Sequence, residues 1–379
     1  MLNRWMSILL IIGLLMGTAA CAEEEVAVPA AGTRMGFEVL KMLYDGEQNQ
    51  VVSPVSLACA LAMAAQGAEG ETRQELLDAL DAETPEDVAA LLSPLADAGL
   101  KLADAAFLVN DLIPREEYVS ALKALFDAEW FDNATAEEIN AWVAERTDGL
   151  IERIIDELSD DARLALVNAV AMDAQWARPF DSGLTEEGTF HAPDGDVTVE
   201  FMHDERWADY GERDGVQMLR MRYSDSDLTL LIALPEEGGM DAVLDGLCAQ
   251  GLGYFMFNEE PARVKLSMPR TDISAENGLN DALQALGIKT AFGDGADFSS
   301  ISEEALRIGS VLQKTRLIFD EDGTRAAAAT ALIMEAMSMV EPMNVVYFEM
   351  NRPFAAVIAD ERTGAVCFAG IVANPAEIN

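Results

Sequence analysis

The spacing of hydrophobic and polar residues along the chain predicts a succession of helices and strands. Two continuous apolar runs, 164–172 (LALVNAVAM) and 228–235 (LTLLIALP), predict strands that are buried on both faces. Helical periodicity predicts helices at 36–44, 57–65, 73–80, 85–96, 114–126 and 280–286. Further strands are predicted at 100–110, 264–269 and 311–320, with a hairpin formed by 354–359 and 365–372.

The segment 320–342 (DEDGTRAAAATALIMEAMSMVEP) is compatible with two different structures. Its Ala, Leu, Met and Glu residues favour a helix. Counted by twos from Thr324 to Ala336, however, one face carries no charge, whereas Arg325 and Glu335 lie on the other face. No Pro interrupts 324–341, so a strand would lose no ladder hydrogen bond. A segment that suits both structures suggests a conformational switch.

Several motifs resemble those of one protein family, the serpins. Residues 321–324, followed by the small residues 326–330, resemble the hinge of a serpin reactive-centre loop. The family's N-terminal motif is matched by 49–56 (NQVVSPVS), and its C-terminal motifs by 351–354 (NRPF) and 374–375 (NP). The stretch 139–158 is similar to the family helix that lies across the main sheet. The resemblance spans about residues 33–376, in register with these motifs.

The resemblance implies an α+β serpin fold with three β-sheets, about eight or nine helices and an exposed reactive-centre loop. It also implies a single serpin domain over residues 33–379. The length of the chain would allow two domains, but no stretch of linker composition divides it.

By the same resemblance, three groups of residues carry the function. The hinge consists of Glu321, Gly323, Thr324, Ala326, Ala327, Ala328, Ala329 and Thr330. The shutter, which lies beneath the main sheet where the sheet parts, consists of Ser53, Ser56, Asn168 and Gln313. The breach, where the loop first enters the sheet, consists of Trp176, Arg270 and Glu321. We expect an ion pair between Arg270 and Glu321.

The shutter residues are expected to bond to one another. A buried Asn168 needs hydrogen-bond partners, and the resemblance places these on the shutter serines. Gln313 stands where serpins commonly have His, so we expect a Gln–Asn contact that lacks a pH-sensitive group. Ser53, directly before Pro54, also suits the N-cap of the following helix, and both roles can hold together.

The resemblance implies a suicide-substrate inhibitor of serine proteases. In serpins the cleaved loop inserts into the main sheet, a known example of strand addition. The usual spacing from Glu321 places the scissile bond at Met337–Ser338, with Ala336 and Met339 as rivals. Met at this position suits the apolar pockets of elastase-like or chymotrypsin-like enzymes, while subtilisin-like and cysteine proteases stay open as targets. The alternative is a non-inhibitory serpin that acts as a surface binding or carrier protein.

The N-terminus resembles a bacterial lipoprotein signal. Residues 1–20 combine a basic Arg4, an apolar run at 5–16 and small residues at 17–20, which is typical of a signal peptide. Cys21 follows directly as the expected lipidation site, and 21–32 forms an acidic tether. These features predict an extracytoplasmic protein that is lipid-anchored to the bacterial cell envelope. An ordinary secretory signal with an incidental Cys21 is the alternative.

Charge and composition argue against several kinds of partner and chemistry. The chain has 25 Lys and Arg against 67 Asp and Glu, a net charge of −42, which disfavours nucleic acid or heparin as partners. It has 2 His and lacks the G-x-S-x-G, HExxH and P-loop motifs, so we expect no enzyme activity, metal or cofactor. Cys59 and Cys367 lie in apolar runs and are expected to be inert buried thiols. We expect a monomer.

Overall fold

The computed structural model describes residues 30–158, 162–256, 260–324 and 345–377. Its helices are α1 Thr33–Leu43, α2 Pro54–Gln66, α3 Gly70–Leu80, α4 Pro85–Asp97, α5 Glu116–Phe126, α6 Ala136–Arg146, α7 Met240–Gln250 and α8 Asn280–Ala285. The first strands are β1 Gln50–Val52, β2 Leu100–Leu108, β3 Glu129–Phe131, β4 Leu164–Met172, β5 Ala174–Gln175, β6 Glu186–Ala192, β7 Gly195–Arg213 and β8 Val216–Arg222. They are followed by β9 Leu228–Pro235, β10 Glu260–Pro269, β11 Thr271–Gly278, β12 Leu312–Phe319, β13 Gly323–Thr324, β14 Val345–Glu349, β15 Phe354–Asp360 and β16 Ala365–Val372.

The α+β class is confirmed, and one long strand explains how the sheets connect. Nine strands form one sheet in the order β1-β16-β15-β9-β8-β7-β10-β14, with β6 also paired to β7. The strand β7 is 19 residues long, so it pairs with β6 over residues 195–201, with β10 over 201–210 and with β8 over 209–213. All residues of β9, β15 and β16 are buried, which accounts for their continuous apolar sequences.

The strands around the predicted site lie outside the nine-stranded sheet. We call β2, β3, β4, β11 and β12 the main sheet, and it is divided into two parts. The strand β4 pairs antiparallel with β2, which in turn pairs with β3, whereas β12 pairs antiparallel with β11. Within the described residues, β4 and β12 do not pair with each other. One face of the β2–β4 pair packs into the main core with α2, and the other packs against α6.

The predicted helix at 139–158 is wrong in its C-terminal half, because α6 ends at Arg146. Asp148 and Gly149 have φ angles of 51° and 75°, in the left-handed region. The side-chain oxygen of Asn140 then accepts hydrogen bonds from the backbone N–H groups of Ile154 and Ile155, at 2.8 and 3.1 Å. These bonds stabilise an irregular segment although its Leu, Ile and Glu residues favour a helix.

The helix beneath the main sheet begins as its sequence predicts. Ser53 is the N-cap of α2, and its hydroxyl oxygen accepts a hydrogen bond from the backbone N–H of Ser56 at 3.3 Å. Pro54 occupies the first helical position, where no backbone N–H is needed. In the part of the chain that the structure describes, no helix has the length and apolar character needed to span a bilayer.

Candidate functional site

The hinge begins with a tight turn directly after β12. The carboxylate of Asp320 accepts hydrogen bonds from the backbone N–H groups of Asp322 and Gly323, both at 3.0 Å. The backbone N–H of Asp320 donates to the carbonyl oxygen of Gly323 at 3.1 Å. This Asp-centred turn reverses the chain, so that β13 leaves antiparallel to the strand it follows.

The first hinge residues already pair with β5, the short strand that follows β4. Gly323 pairs with Gln175 and Thr324 pairs with Ala174, in antiparallel register. A Cβ atom on Gly323 would lie 2.1 Å from the carbonyl oxygen of Ala174 and 2.8 Å from the Cα of Gln175. Both are backbone atoms that cannot swing away, so this pairing requires glycine at position 323.

Thr324 is held by a buried hydrogen bond between its hydroxyl group and that of Tyr223. Its Oγ1 lies 2.6 Å from the hydroxyl oxygen of Tyr223, and the Thr324 residue is buried. The ring of Tyr223 stacks on that of Trp176 at 4.8 Å between centroids. Trp176 in turn donates from its indole Nε1 to the carbonyl oxygen of Asp320, and from its backbone N–H to that of Asp322, both at 2.9 Å. Trp176 therefore holds the turn, and Tyr223, which stacks on Trp176, holds Thr324.

The expected ion pair between Arg270 and Glu321 is present. Arg270 Nε and Nη2 donate to Glu321 Oε2 at 2.9 and 2.7 Å, and Arg270 Nη1 also donates to Glu200 Oε2 at 2.8 Å. The hydroxyl of Thr185 donates to Glu321 Oε1 at 2.7 Å. Burial raises the pKa of Glu321, but these hydrogen bonds and the Arg270 charge outweigh it, so the pKa lies below its ordinary value.

The shutter residues come together, but their bonds differ from those expected. Gln313 Oε1 accepts from the backbone N–H of Ser53 at 3.0 Å, and Gln313 Nε2 donates to the carbonyl oxygen of Ser53 at 2.9 Å. The hydroxyl of Ser53 donates to the carbonyl oxygen of Cys367 at 2.7 Å. The expected Gln313–Asn168 contact is therefore replaced, because the start of α2 uses both polar atoms of Gln313.

The side chain of Asn168 also has a different partner from the expected serines. Its Nδ2 donates to Asp104 Oδ1 at 2.9 Å, between directly opposed residues of β4 and β2. The hydroxyl of Ser56 reaches only the backbone carbonyl oxygen of Asn168, at 3.5 Å. Asn168 Oδ1 is buried and has no hydrogen-bond partner. Burial raises the pKa of Asp104 to about 7.

A cleft lies between β4 and β12 and reaches the hinge at Thr324. It is lined by Leu150, Ile151, Val170, Ala171, Met172, Arg316, Leu317, Ile318, Thr324 and Phe368. Thr315 of β12 carries a second buried polar atom, Oγ1, that has no hydrogen-bond partner. The hinge, shutter and breach thus lie along one division in the main sheet.

Some functional residues were missed by the sequence analysis, and others lie outside the described residues. Tyr223 and Thr185 carry no local motif, whereas Asp104 could have been noticed as the one acidic residue within a mostly apolar strand sequence. Ala326, Ala327, Ala328, Ala329, Thr330, Ala336, Met337, Ser338, Met339 and Cys21 lie outside the described residues.

No metal-binding group emerges from the residues that the structure describes: they contain no cluster of three or more His, Cys, Asp or Glu side chains placed to hold an ion. Cys59 and Cys367 are free and fully buried, and burial raises the pKa of both thiols. His191 is exposed on the β6–β7 hairpin, where its Nδ1 lies 2.7 Å from Asp196 Oδ1.

Comparison with known proteins relates the whole described fold to one family. A family model described as serpin (serine protease inhibitor) matches residues 30–375. An uncharacterized serpin-like protein of Thermococcus kodakarensis is 34% identical over 372 residues, covering 93% of this chain and 87% of the relative. Thyroxine-binding globulin of Ovis aries is 30% identical over 356 residues, covering 88% of this chain and 85% of the relative.

Solved structures show the same similarity. The thermophilic serpin tengpin in its native state superposes with a TM-score of 0.81 at 28% identity, covering 90% of this chain and 93% of tengpin. Human thyroxine-binding globulin in complex with its ligand superposes with a TM-score of 0.81 at 26% identity, covering 92% of this chain and 98% of the other.

Proposed function

The chain belongs to the serpin family, and on that premise we propose that it is a suicide-substrate inhibitor of serine proteases with apolar specificity. The target's serine attacks the carbonyl carbon of Met337, the bond to the nitrogen of Ser338 breaks, and that nitrogen takes up the proton as the leaving amine. Met337 stays bound to the protease as an ester. Insertion of the hinge into the main sheet then draws the protease away before water can hydrolyse the ester.

One observation supports the proposal. The hinge already pairs with β5, next to the end of β4, and the main sheet is divided between β4 and β12. Gly323 and Thr324 pair with β5, which continues the direction of β4, while β4 and β12 do not pair with each other in the described residues. A strand that continued from Thr324 would therefore run antiparallel to β4 between the two halves of the sheet.

The register predicts which residues would meet. Because Thr324 pairs with Ala174, continued antiparallel pairing would place Ala326 opposite Met172 and Thr330 opposite Asn168. Directly opposed residues in an antiparallel pair share a face, and Met172 and Asn168 belong to the face of β4 that lies over α2. The uncharged alternate face of the hinge would thus meet the core, and Arg325 would face away from it.

The energetics of insertion depend on a slot that is prepared before cleavage. Each new ladder hydrogen bond contributes roughly 0.5–1.5 kcal/mol net, whereas ordering opposes it by about 1–2 kcal/mol per residue. Burial of the uncharged face contributes in addition. The division between β4 and β12 means that no existing β4–β12 ladder has to be broken first.

The experiment is to incubate the protein with elastase, chymotrypsin, trypsin and subtilisin and to look for an SDS-stable complex on a denaturing gel. We expect a complex with the enzymes of apolar specificity, and bait cleavage after Met337. Thr324→Arg would place an unpaired charge at a buried position, at a cost of several kcal/mol. This variant should be cleaved at the same bond without trapping the protease.

Thr189→Arg is the matched control, because Thr189 lies exposed on β6. It should trap as well as the parent. If Thr324→Arg traps as well as the parent, the insertion mechanism is refuted. If the parent traps none of the four enzymes, a carrier function becomes the better proposal, as the name of the thyroxine-binding relatives illustrates.

A further inference from the structure

Two exposed aromatic side chains lie on one face of the nine-stranded sheet. Trp207 on β7 is 52% exposed and Tyr347 on β14 is 58% exposed. The pairing places Trp207, Arg263 and Val345 in one row across β7, β10 and β14, and Glu205, Lys265 and Tyr347 in the next row. We call Trp207, Arg263, Lys265 and Tyr347 the aromatic patch. With strands about 4.8 Å apart, its two rings lie roughly 12 Å from each other.

The fold does not need these two rings. The neighbouring residues on the opposite face, Val264, Leu266 and Phe348, are fully or almost fully buried and form the core side of the same strands. The exposed Trp and Tyr on adjoining rows leave apolar surface in contact with water, and this surface adds nothing to the core. Trp and Tyr are the residue types that dominate binding energy at protein interfaces.

The patch is locally close to neutral on a molecule that carries a net charge of −42. Arg263 Nε lies 2.6 Å from Glu205 Oε1. Lys265 Nζ lies 5.3 Å from the centroid of the Tyr347 ring, and among the described residues no carboxylate lies within ion-pair distance of it. Glu349 lies one row beyond Tyr347. A partner can therefore approach here without the repulsion that the rest of the surface imposes on acidic proteins, and Lys265 offers a cation to a carboxylate.

The position of the patch indicates which partner would reach it. Val345, the first residue of β14, lies seven positions after Ser338, a distance of at most about 24 Å along an extended chain. A protease domain of about 230 residues is roughly 45 Å across. The patch therefore lies within reach of a protease whose active site holds the bond Met337–Ser338.

We propose that the aromatic patch is a second docking surface for the target protease, which contacts it while the bait occupies the active site. The inference rests on the proposed function and adds the partner's second contact. The fitting partner surface is apolar, carries a carboxylate for Lys265, and lies beside the part of the protease cleft that binds residues after the scissile bond. Docking there speeds capture but takes no part in loop insertion.

The test compares Trp207→Ser/Tyr347→Ser with the parent, using chymotrypsin, pancreatic elastase and subtilisin. Two quantities are measured: the second-order rate constant of inhibition and the number of inhibitor molecules consumed per protease trapped. We expect the rate constant to fall about tenfold for at least one of the three enzymes, which corresponds to the loss of one or two interface anchors. The number consumed should stay unchanged, because insertion does not involve the patch. Lys265→Glu should lower the same rate constant.

The matched control is Met42→Ser/Ile113→Ser, which removes two exposed hydrophobic side chains elsewhere on the molecule. It should leave both quantities unchanged, and heat-unfolding curves establish that both double variants fold. Equal rate constants for the patch variant and the parent overturn the patch while leaving the proposed function intact. If the parent traps no protease, both proposals fall. If the parent is a dimer by sedimentation and the patch variant is a monomer, the patch is a self-association surface and the proposal is also overturned.

Discussion

At the scale of single residues, Asp104 is a buried carboxyl group whose pKa burial raises. It is buried on β2, bonded to Asn168 Nδ2, and its pKa is raised to about 7 by burial. The other titratable group that faces it is the thiol of Cys59 on α2. The folded protein keeps the Asp104 proton up to about pH 7, whereas the unfolded chain releases it near 3.8. Asp104 therefore makes the free energy of unfolding fall as pH rises from about 4 to about 7.

We predict that Asp104→Asn stabilises the protein at pH 8 by roughly 1–3 kcal/mol. The amide has no charge to bury, and its N–H₂ group can donate to Asn168 Oδ1, which has no partner in the parent. Urea unfolding followed by tryptophan fluorescence at pH 5 and pH 8 measures the effect. The gain over the parent should be larger at pH 8, because the folded parent contains an ionised Asp104 only at the higher pH.

Asp97→Asn is the control for the change in net charge, since Asp97 is exposed at the end of α4. It should shift stability by less than about 0.5 kcal/mol at either pH. A gain from Asp104→Asn that is equal at both pH values would contradict the assignment of a raised pKa.

Single residues also show what the sequence could and could not predict about the site. The Arg270–Glu321 pair was predictable, because both residues stand at recognisable positions next to strand ends. Tyr223 and Thr185 were not, since they reach the hinge from 101 and 136 positions away and no local pattern marks them. The partner of Asn168 was mispredicted because it depends on which residue of β2 lies opposite, and that register has no local signal.

At the scale of elements, strands with continuous apolar sequences were predicted to the residue. Both β4 and β9 have the predicted bounds, because burial keeps every residue of each run apolar except Asn168 in β4 and Thr229 in β9. The end of α6 was not predictable from propensity, since hydrogen bonds that the Asn140 side-chain oxygen accepts from the backbone override it. The two-residue strand β13 could not be predicted from periodicity, although the proposed function depends on it.

For β13 we predict that Gly323→Ala converts the inhibitor into a substrate. A Cβ would meet the backbone of Ala174 and Gln175, so the first rung between β13 and β5 cannot form and insertion lacks its start. The number of inhibitor molecules consumed per protease trapped should rise at least tenfold, while the bait is still cleaved. Densitometry of complex and cleaved product on a denaturing gel gives this number.

Gly309→Ala is the control for this substitution. A Cβ atom on Gly309 would meet no atom within 4 Å, and this glycine precedes β12 in the same region of the chain. The Gly309→Ala protein should trap protease with the parent's efficiency. A Gly323→Ala protein that does the same would show that the β13–β5 rung is not needed.

At the scale of the whole molecule, the signal-like sequence that precedes Cys21 leads us to propose a lipid anchor. We predict that Cys21→Ser moves the protein from the membrane fraction to the soluble fraction of a bacterial host. The substitution removes the proposed acylation site, and stable anchoring requires more than one acyl chain or signal. Immunoblots of the separated fractions measure the distribution. Cys248→Ser removes a half-buried thiol instead and should leave the protein with the membranes. Membrane recovery of Cys21→Ser would contradict the lipoprotein assignment.

The division between β4 and β12 also has a consequence for how molecules interact at high local concentration. Each of the two strands has a ladder partner on one side only among the described strands, and such an edge accepts any extended segment of suitable sequence. The hinge of the same molecule and the hinge of a neighbour are therefore competitors for one position. The hinge of the same molecule has an effective concentration in the millimolar range. It therefore outcompetes the hinge of a neighbour as long as the protein concentration stays well below that range. If the proposed lipid anchor packs many copies onto a small area of membrane, that advantage narrows, and surface density then determines how readily the hinge of one molecule pairs with a neighbour.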